Sequence, residues 1–345
     1  MRQNFIVPGV LLAAGMLSCC ANATTSVKPL GWAARQRFLS NRQNKVIETL
    51  GAAPHAQYFQ DQKLDHFEFS AKTWPQRFWM NDTFWTGGDA PVFVFISGEG
   101  AGSPFWVADS EATFYAEQFG ALVIELEHRF YGASFPTEDM STANLRYLSS
   151  EQALADLAWF QVYAQTDLGV GENAKWVTYG GSYAGALAAF SRRKYASIHA
   201  AVSASGPVQA QYDFAGYMDQ VTESLGMEEV GGSAQCQNVV QSAFANVSAI
   251  LSTGDKNRIG ALATQFKACA APMTADDQWL FSMQLTDVFA GTVQYNDEGQ
   301  QFTIETLCKQ MLAPAFATPV AALANVSNAA LGNEKCFSPA WTDYI

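Results

Sequence analysis

Between residues 91 and 207, short apolar runs alternate along the chain with segments of helical periodicity. The runs carry almost no polar side chains, which is typical of parallel strands covered on both faces of a sheet. The segment after Ser149 has apolar residues at spacings of three and four, which predicts a helix capped by Ser149 or Ser150. This alternation indicates the α/β class. The predicted strands are 91–96, 121–126, 176–179 and 200–203.

The pattern changes after Pro207. The segments 236–251 and 259–268 are amphipathic and rich in Ala and Gln, with a Gly-Asp break between them and little sign of strands. We therefore predict a helical insertion in this part of the chain.

The first 23 residues have the pattern of a secretory signal peptide. Arg2 precedes an apolar run from Phe5 to Leu17, and Ala21-Asn22-Ala23 resembles a cleavage site. A membrane anchor is the alternative, but the run is shorter than the roughly 20 residues of a spanning helix. Lipidation at Cys19 fits the spacing less well. We expect residues 1–23 to be removed.

Composition narrows the possible partners. With a net charge of -12 and no long basic run, the chain is not expected to bind nucleic acid, and its 49% hydrophobic content permits a large core.

Four cysteines follow the signal segment, without C-x-x-C spacing or a nearby histidine, so disulfides are favoured over a zinc site and three pairings are open. These cysteines are Cys236, Cys269, Cys308 and Cys336, and the glycosylation acceptors, if the host glycosylates, are Asn81, Asn246 and Asn325.

Ser182 lies where a strand-like run turns through small residues into a helical segment. This arrangement is typical of a nucleophile elbow, in which a strained turn exposes the serine hydroxyl. Ala184 stands where the G-x-S-x-G pattern has its last glycine, and it is small enough to fit. In this setting the N–H of Tyr183 could stabilise an oxyanion. The alternative is a glycine-rich turn with an incidental serine.

A second glycine-rich segment, 97–102, follows the first strong strand. In α/β-hydrolases a loop at this place donates the other oxyanion N–H, here that of Gly98. A phosphate-binding loop is disfavoured because the segment lacks its Lys-Ser/Thr ending. Glu99 could orient the loop or contact a substrate amine, although a solvated carboxylate is the commoner case.

The histidines do not complete a catalytic triad. In the α/β-hydrolase order the acid and the histidine follow the serine, and only His199 follows Ser182. It lies at the start of the next strand, the wrong end for a base. His128 is expected to have a structural role, and His55 and His66 precede the serine. The acids downstream lie in the helical half.

Several blocks in order resemble the S28 serine peptidases, a family that includes Pro-X carboxypeptidases and dipeptidyl peptidases. The resemblance spans residues 55–345. The blocks are 58–67, 76–81, 98–100, 127–132, 148–157 and 180–189.

The resemblance implies an α/β-hydrolase fold with an inserted helical cap. Residues 24–207 would form the N-terminal part of the hydrolase domain and residues 208–345 an incomplete cap. The family's acid and histidine lie after the cap, so we expect this chain to be C-terminally truncated. The implied disulfides are Cys236 with Cys308 and Cys269 with Cys336.

The expected chemistry is acyl transfer to Ser182, with Tyr183 and Gly98 as oxyanion donors. The resemblance implies a secreted, lysosomal or vacuolar exopeptidase that often cleaves beside proline. We expect peptide substrates, no metal, no cofactor and no membrane span, and a homodimer is left open. The alternatives are a lipase or esterase of the same fold and a catalytically incomplete secreted binding protein.

Overall fold

A computed structural model describes residues 54–69, 72–296, 302–332, 334–340 and 342. The predicted signal segment lies outside the described residues. The described chain folds into two compact units, and the division between them falls between Gln211 and Tyr212. The α/β part precedes this point, and the part that follows it is helical.

The first unit contains a six-stranded mixed sheet. Its order is β1-β2-β4-β3-β5-β6, with β1 and β2 antiparallel to their neighbours and the remaining pairs parallel. This order, with the crossover between β3 and β4, is that of an α/β-hydrolase sheet, so the predicted fold class is confirmed. The strands are β1 Gln57–Lys63, β2 Thr73–Asn81, β3 Val92–Ile96, β4 Leu122–Leu126, β5 Trp176–Gly181 and β6 Ile198–Ala204.

The helices of this unit pack their apolar residues against the sheet. Ser149 caps α3 by accepting a hydrogen bond from the Gln152 N–H, as its sequence predicts. Leu154, Leu157 and other residues of α3 share a core with β3 and β4. The helices are α1 Phe105–Ala108, α2 Glu111–Phe119, α3 Ser150–Asp167 and α4 Tyr183–Lys194.

Arg129, just after β4, uses all five of its N–H donors although it is fully buried. Its Nε donates to Asp156 at 2.6 Å, and one Nη group donates to the other oxygen of that carboxylate. The carbonyl oxygens of Lys63, Leu64 and Tyr147 accept the remaining three hydrogen bonds. The guanidinium thereby links the segment after β1, the connection before α3 and α3 itself.

The second unit is helical and has its own core, in which Phe266 and Phe281 meet edge to face at 5.6 Å. Cys236 pairs with Cys308 and Cys269 with Cys336, which confirms the pairing implied by the family resemblance. No helix among the described residues is long and apolar enough to cross a membrane. The helices are α5 Gly216–Gly226, α6 Ala234–Ser252, α7 Lys256–Gln265, α8 Ala275–Gln294, α9 Ile304–Met311 and α10 Pro319–Ala330.

Candidate active site

Ser182 occupies the single residue between β5 and α4. Its backbone has φ 57° and ψ -127°, a conformation that is strained for a residue with a side chain. The Ser182 N–H donates to the carbonyl oxygen of Ala204 at 2.9 Å, and the Ser182 carbonyl accepts from Ala186 at 3.1 Å. The side chain is exposed and makes no capping hydrogen bond to α4. These are the features of a nucleophile elbow.

Two glycines let the strand and helix of the elbow approach each other. A β-carbon on Gly180 would lie 2.1 Å from the carbonyl oxygen of Ala184, and one on Gly185 would lie 2.8 Å from that of Ala204. Both distances are far below van der Waals contact. By contrast, a β-carbon on Gly181 would meet nothing within 4 Å. The close packing therefore explains why glycine occupies positions 180 and 185, but it does not explain the glycine at position 181.

The loop after β3 comes next to the elbow. A β-carbon added to Gly98 would lie 3.7 Å from Cβ of Ala184, which is ordinary van der Waals contact. Ala184 is two residues from Ser182, so the structure brings together Ser182, Tyr183 and Gly98, the three residues singled out in the sequence. The alanine that breaks the G-x-S-x-G pattern thus has its methyl group against the loop.

The Tyr183 side chain is hydrogen-bonded to two others, those of His128 and Ser150. His128 Nδ1 lies 2.7 Å from the carbonyl oxygen of Arg129, which can only accept, so Nδ1 carries the proton. Burial lowers the pKa of His128, which favours the neutral ring. Its Nε2 therefore accepts from the Tyr183 hydroxyl at 3.1 Å, and the hydroxyl in turn accepts from Ser150 at 3.1 Å.

Burial also raises the pKa of the Tyr183 phenol, and the negative charge of Glu99 adds to the rise. The phenol therefore stays protonated and keeps donating to His128 over the ordinary pH range. As a result, the side chain of Tyr183 helps to fix the position of its backbone N–H, which lies immediately after Ser182 in the chain.

None of the histidines is hydrogen-bonded to Ser182 among the described residues. His66 Nε2 lies 2.7 Å from Asp156 Oδ1, and His128 is bonded to Tyr183. His199 lies at the beginning of β6, whereas the elbow follows the end of the parallel neighbour β5. His55 is exposed ahead of β1. Within the described ranges, no group of three or more His, Cys, Asp or Glu residues could hold a metal ion.

Two buried carboxyl groups that contact the loop after β3 were not singled out in the sequence. Glu125 and Glu127 are both fully buried, and both accept hydrogen bonds from the loop that contains Gly98. The available signal was a carboxylate at position 125 inside an otherwise apolar strand, since such a group rarely occurs fully buried without a partner.

The sheet order and the strained serine after β5 define an α/β-hydrolase of the serine-nucleophile type. A family model described as serine carboxypeptidase S28 matches residues 62–344. The chain therefore belongs to this family of serine peptidases.

The relatives agree with this assignment. Human thymus-specific serine protease is 37% identical over 287 residues, which are 81% of this chain and 56% of that protein. Human lysosomal Pro-X carboxypeptidase is 36% identical over 158 residues, which are 44% of this chain and 31% of that protein. The human and mouse thymus-specific serine proteases match most of this chain, and the chain spans about half the length of each of them.

Among solved structures, an esterase from Pyrobaculum calidifontis is similar at 18% identity and a TM-score of 0.35, over 61% of this chain and 63% of that one. A similarity at this level implies nothing about substrate.

Proposed function

We propose that the natural protein is a serine-type exopeptidase that cleaves peptide bonds through an acyl-enzyme on Ser182. The observation that carries this proposal is the strained, exposed Ser182 between β5 and α4. A serine held in this way projects its hydroxyl from the edge of the sheet toward a substrate. Attack on the peptide carbonyl expels the amine product, and water then hydrolyses the ester.

The proposed oxyanion donors are the backbone N–H groups of Tyr183 and Gly98. Two observations support them: Tyr183 is the first residue of α4, and Gly98 packs against Ala184 in the same helix. The N–H groups in the first turn of a helix lack partners within that helix. Preorganised donors of this kind typically contribute about 2.7–4 kcal/mol each to stabilising the transition state.

The base and the acid of the triad are proposed to come from residues that this chain does not contain. The support is the placement of the four histidines: His66 and His128 are engaged elsewhere, His199 lies at the opposite end of its strand, and His55 lies ahead of the sheet. None of the four is hydrogen-bonded to Ser182 among the described residues.

Substrate and compartment are further parts of the proposal. The name of the Pro-X carboxypeptidase relative supports a preference for peptide bonds beside proline. Residues 208–345 are proposed to be part of the inserted helical cap, since the described residues of this unit are mainly helical and carry both disulfides. Disulfides form in oxidising compartments, which supports secretion or delivery to a lysosome or vacuole.

The test is hydrolysis by the protein purified from its natural source, compared with a full-length Ser182→Ala variant. The substrates are fluorogenic peptides with proline on the acyl side of the cleaved bond, matched peptides with alanine there, and a long-chain acyl ester. The amino end is left free or blocked, and the carboxyl end is treated in the same way.

We expect hydrolysis of the proline peptides that is lost in Ser182→Ala and requires one free end. Equal cleavage of the alanine peptides would contradict only the proline preference. Faster hydrolysis of the ester than of any peptide would identify an esterase instead, and hydrolysis that persists in Ser182→Ala would overturn the nucleophile.

A further inference from the structure

Glu125 holds both ends of the glycine-rich loop that runs from Ser97 to Ser103. Its Oε1 accepts a hydrogen bond from the Ser97 hydroxyl at 2.7 Å. The backbone N–H of Ser103 donates to both carboxyl oxygens, each at 3.1 Å. The Glu125 side chain is fully buried. One carboxyl group therefore bonds to both the first and the last residue of the loop.

Glu127, two residues later, is also hydrogen-bonded to the loop. Its Oε1 accepts from the Gly102 N–H at 2.8 Å, and its Oε2 accepts from the Ser134 hydroxyl at 2.7 Å and the Ala133 N–H at 3.0 Å. Arg77 forms an ion pair with this carboxylate, with its Nε 3.1 Å from Oε2. All acceptor positions of the carboxylate are thus used within the fold.

The loop lies close to its neighbours at Gly102. A β-carbon added to Gly102 would lie 2.5 Å from Cζ3 of Trp79 and 3.1 Å from Oε1 of Glu125. The glycine therefore lets the backbone lie directly on the indole ring and the two carboxyl groups.

The protonation of Glu125 is also shifted by its surroundings. The pKa of Glu125 is raised to about 8, mainly by burial and to a smaller extent by the negative charge of Glu127. The hydrogen bonds from Ser97 and Ser103 and the positive charge of Arg77 oppose this rise. The raised pKa favours the protonated form of Glu125 at neutral pH, while Glu127 forms its ion pair with Arg77. A carboxyl group protonated on Oε2 can still accept through Oε1 from Ser97 and Ser103, and it adds no second buried charge.

We propose that Glu125 and Glu127 are positioning residues for hydrolysis, which hold the Gly98 backbone against Ala184 and thereby place its N–H for the reaction at Ser182. The proposal rests on the exopeptidase function proposed above. Neither carboxyl group needs to touch the substrate. Each acts through the loop, because Ser97 immediately precedes Gly98, and Gly102 and Ser103 fix its far end.

A merely structural role would give a different result. A side chain that only stabilises the fold would lower the free energy of unfolding and leave the turnover of the folded molecules unchanged. A side chain that positions an oxyanion donor acts in the transition state, so its loss lowers kcat more than it raises KM.

The experiment uses full-length protein with four single substitutions. Glu125→Leu removes the acceptors at similar size, Glu125→Gln retains one acceptor oxygen and no charge, and Ser97→Ala removes one bond from the loop side. The control, Glu117→Gln, changes an exposed carboxylate on α2. We would measure kcat and KM at pH 6 for a proline peptide, and amide hydrogen exchange in the segment 97–103.

We expect Glu125→Leu to lower kcat by about 10- to 100-fold with KM within about threefold, because one oxyanion donor is misplaced. Amide exchange in the segment 97–103 should accelerate in the same variant. Ser97→Ala should show a smaller loss of the same kind, and it keeps the test possible if Glu125→Leu does not fold. The kcat of Glu125→Gln should stay within about threefold of that of the unmodified protein. The kcat of Glu117→Gln should equal that of the unmodified protein.

Two results would overturn the positioning role. One is unchanged amide exchange of the segment in both Glu125→Leu and Ser97→Ala. The other is faster exchange with kcat retained within twofold. Failure of the proposed function is a separate result, since it would show as an absence of Ser182-dependent hydrolysis in the unmodified protein.

Discussion

The backbone N–H of Ser182 donates a hydrogen bond to the carbonyl oxygen of Ala204, at 2.9 Å. This bond links the residue between β5 and α4 to the last residue of β6. A positive φ at a serine costs about 1–3 kcal/mol, so the elbow persists only because contacts from outside the turn hold it. The end of β6 supplies one of these contacts. The same carbonyl oxygen also limits the space at Gly185.

The first prediction compares two neighbouring glycines. Gly180→Ala places a methyl group 2.1 Å from the Ala184 carbonyl oxygen, and we expect it to lower the free energy of unfolding by about 1–3 kcal/mol or more. Gly181→Ala meets nothing within 4 Å and should change stability by less than about 0.5 kcal/mol. Urea unfolding of both variants measures the difference. Equal losses of stability in the two variants would show that the elbow does not depend on the close packing at Gly180.

The second prediction concerns the hydroxyl of Tyr183. Tyr183→Phe leaves the buried Nε2 of His128 without its donor, which should cost about 1–3 kcal/mol of unfolding free energy. We also expect kcat to fall severalfold, since the residue beside the nucleophile loses its anchor. Tyr195→Phe, at the other end of α4, is the matched control and should change neither quantity by a similar amount. Full activity and stability in Tyr183→Phe would refute the role of the hydrogen-bonded chain.

The third prediction is a pH dependence of stability. The pKa of Glu125 rises on folding from its ordinary value near 4.5 to about 8, so the folded state binds the proton more tightly than the unfolded state. Stability from this group is therefore complete below pH 4.5 and is lost as the pH rises through 8. Each unit of pKa difference corresponds to about 1.4 kcal/mol, so several kcal/mol is an upper limit.

Glu125→Gln removes this titration. We expect the free energy of unfolding of the variant to fall less between pH 5 and pH 8.5 than that of the unmodified protein. Urea unfolding at a series of pH values measures both slopes. Parallel curves for the two proteins would contradict the raised pKa of Glu125.

The fourth prediction concerns Arg129, whose five donors are all used. A lysine cannot reproduce the planar arrangement of these bonds, and it would leave the buried Asp156 carboxylate poorly compensated. We expect Arg129→Lys to lower the free energy of unfolding by about 3–5 kcal/mol. Arg146→Lys changes an exposed arginine and should have no measurable effect. A loss below about 1 kcal/mol in Arg129→Lys would show that the network tolerates rearrangement.

The central strands and helices could be predicted from the sequence because their apolar runs are long and regular. All four strands predicted between residues 91 and 203 are present, and the helix after Ser149 begins where its cap indicates. The elbow at Ser182 could be located for a similar reason, since small residues at the junction of a strand and a helix form a local signal.

The strands β1 and β2 were not predicted. Pro75 lies within β2, and a proline has no N–H for the sheet. The structure accommodates it at an irregularity: Phe59 pairs with Gln76 and Gln62 with Trp74, so two residues of β1 lie opposite the single Pro75. Such a bulge depends on the partner strand, so no local pattern reveals it. The contacts of Glu125 were hidden for the same reason, because they join residues 22 and 28 positions away in the sequence.

The most direct test of the nucleophile is covalent modification of Ser182. The protein purified from its natural source would be treated with a fluorophosphonate, and the tryptic peptide 176–192 would be analysed by mass spectrometry. We predict one phosphonyl group on Ser182, added in step with the loss of peptide hydrolysis. Complete inactivation with Ser182 unmodified, or with the group on another serine, would contradict Ser182 as the nucleophile.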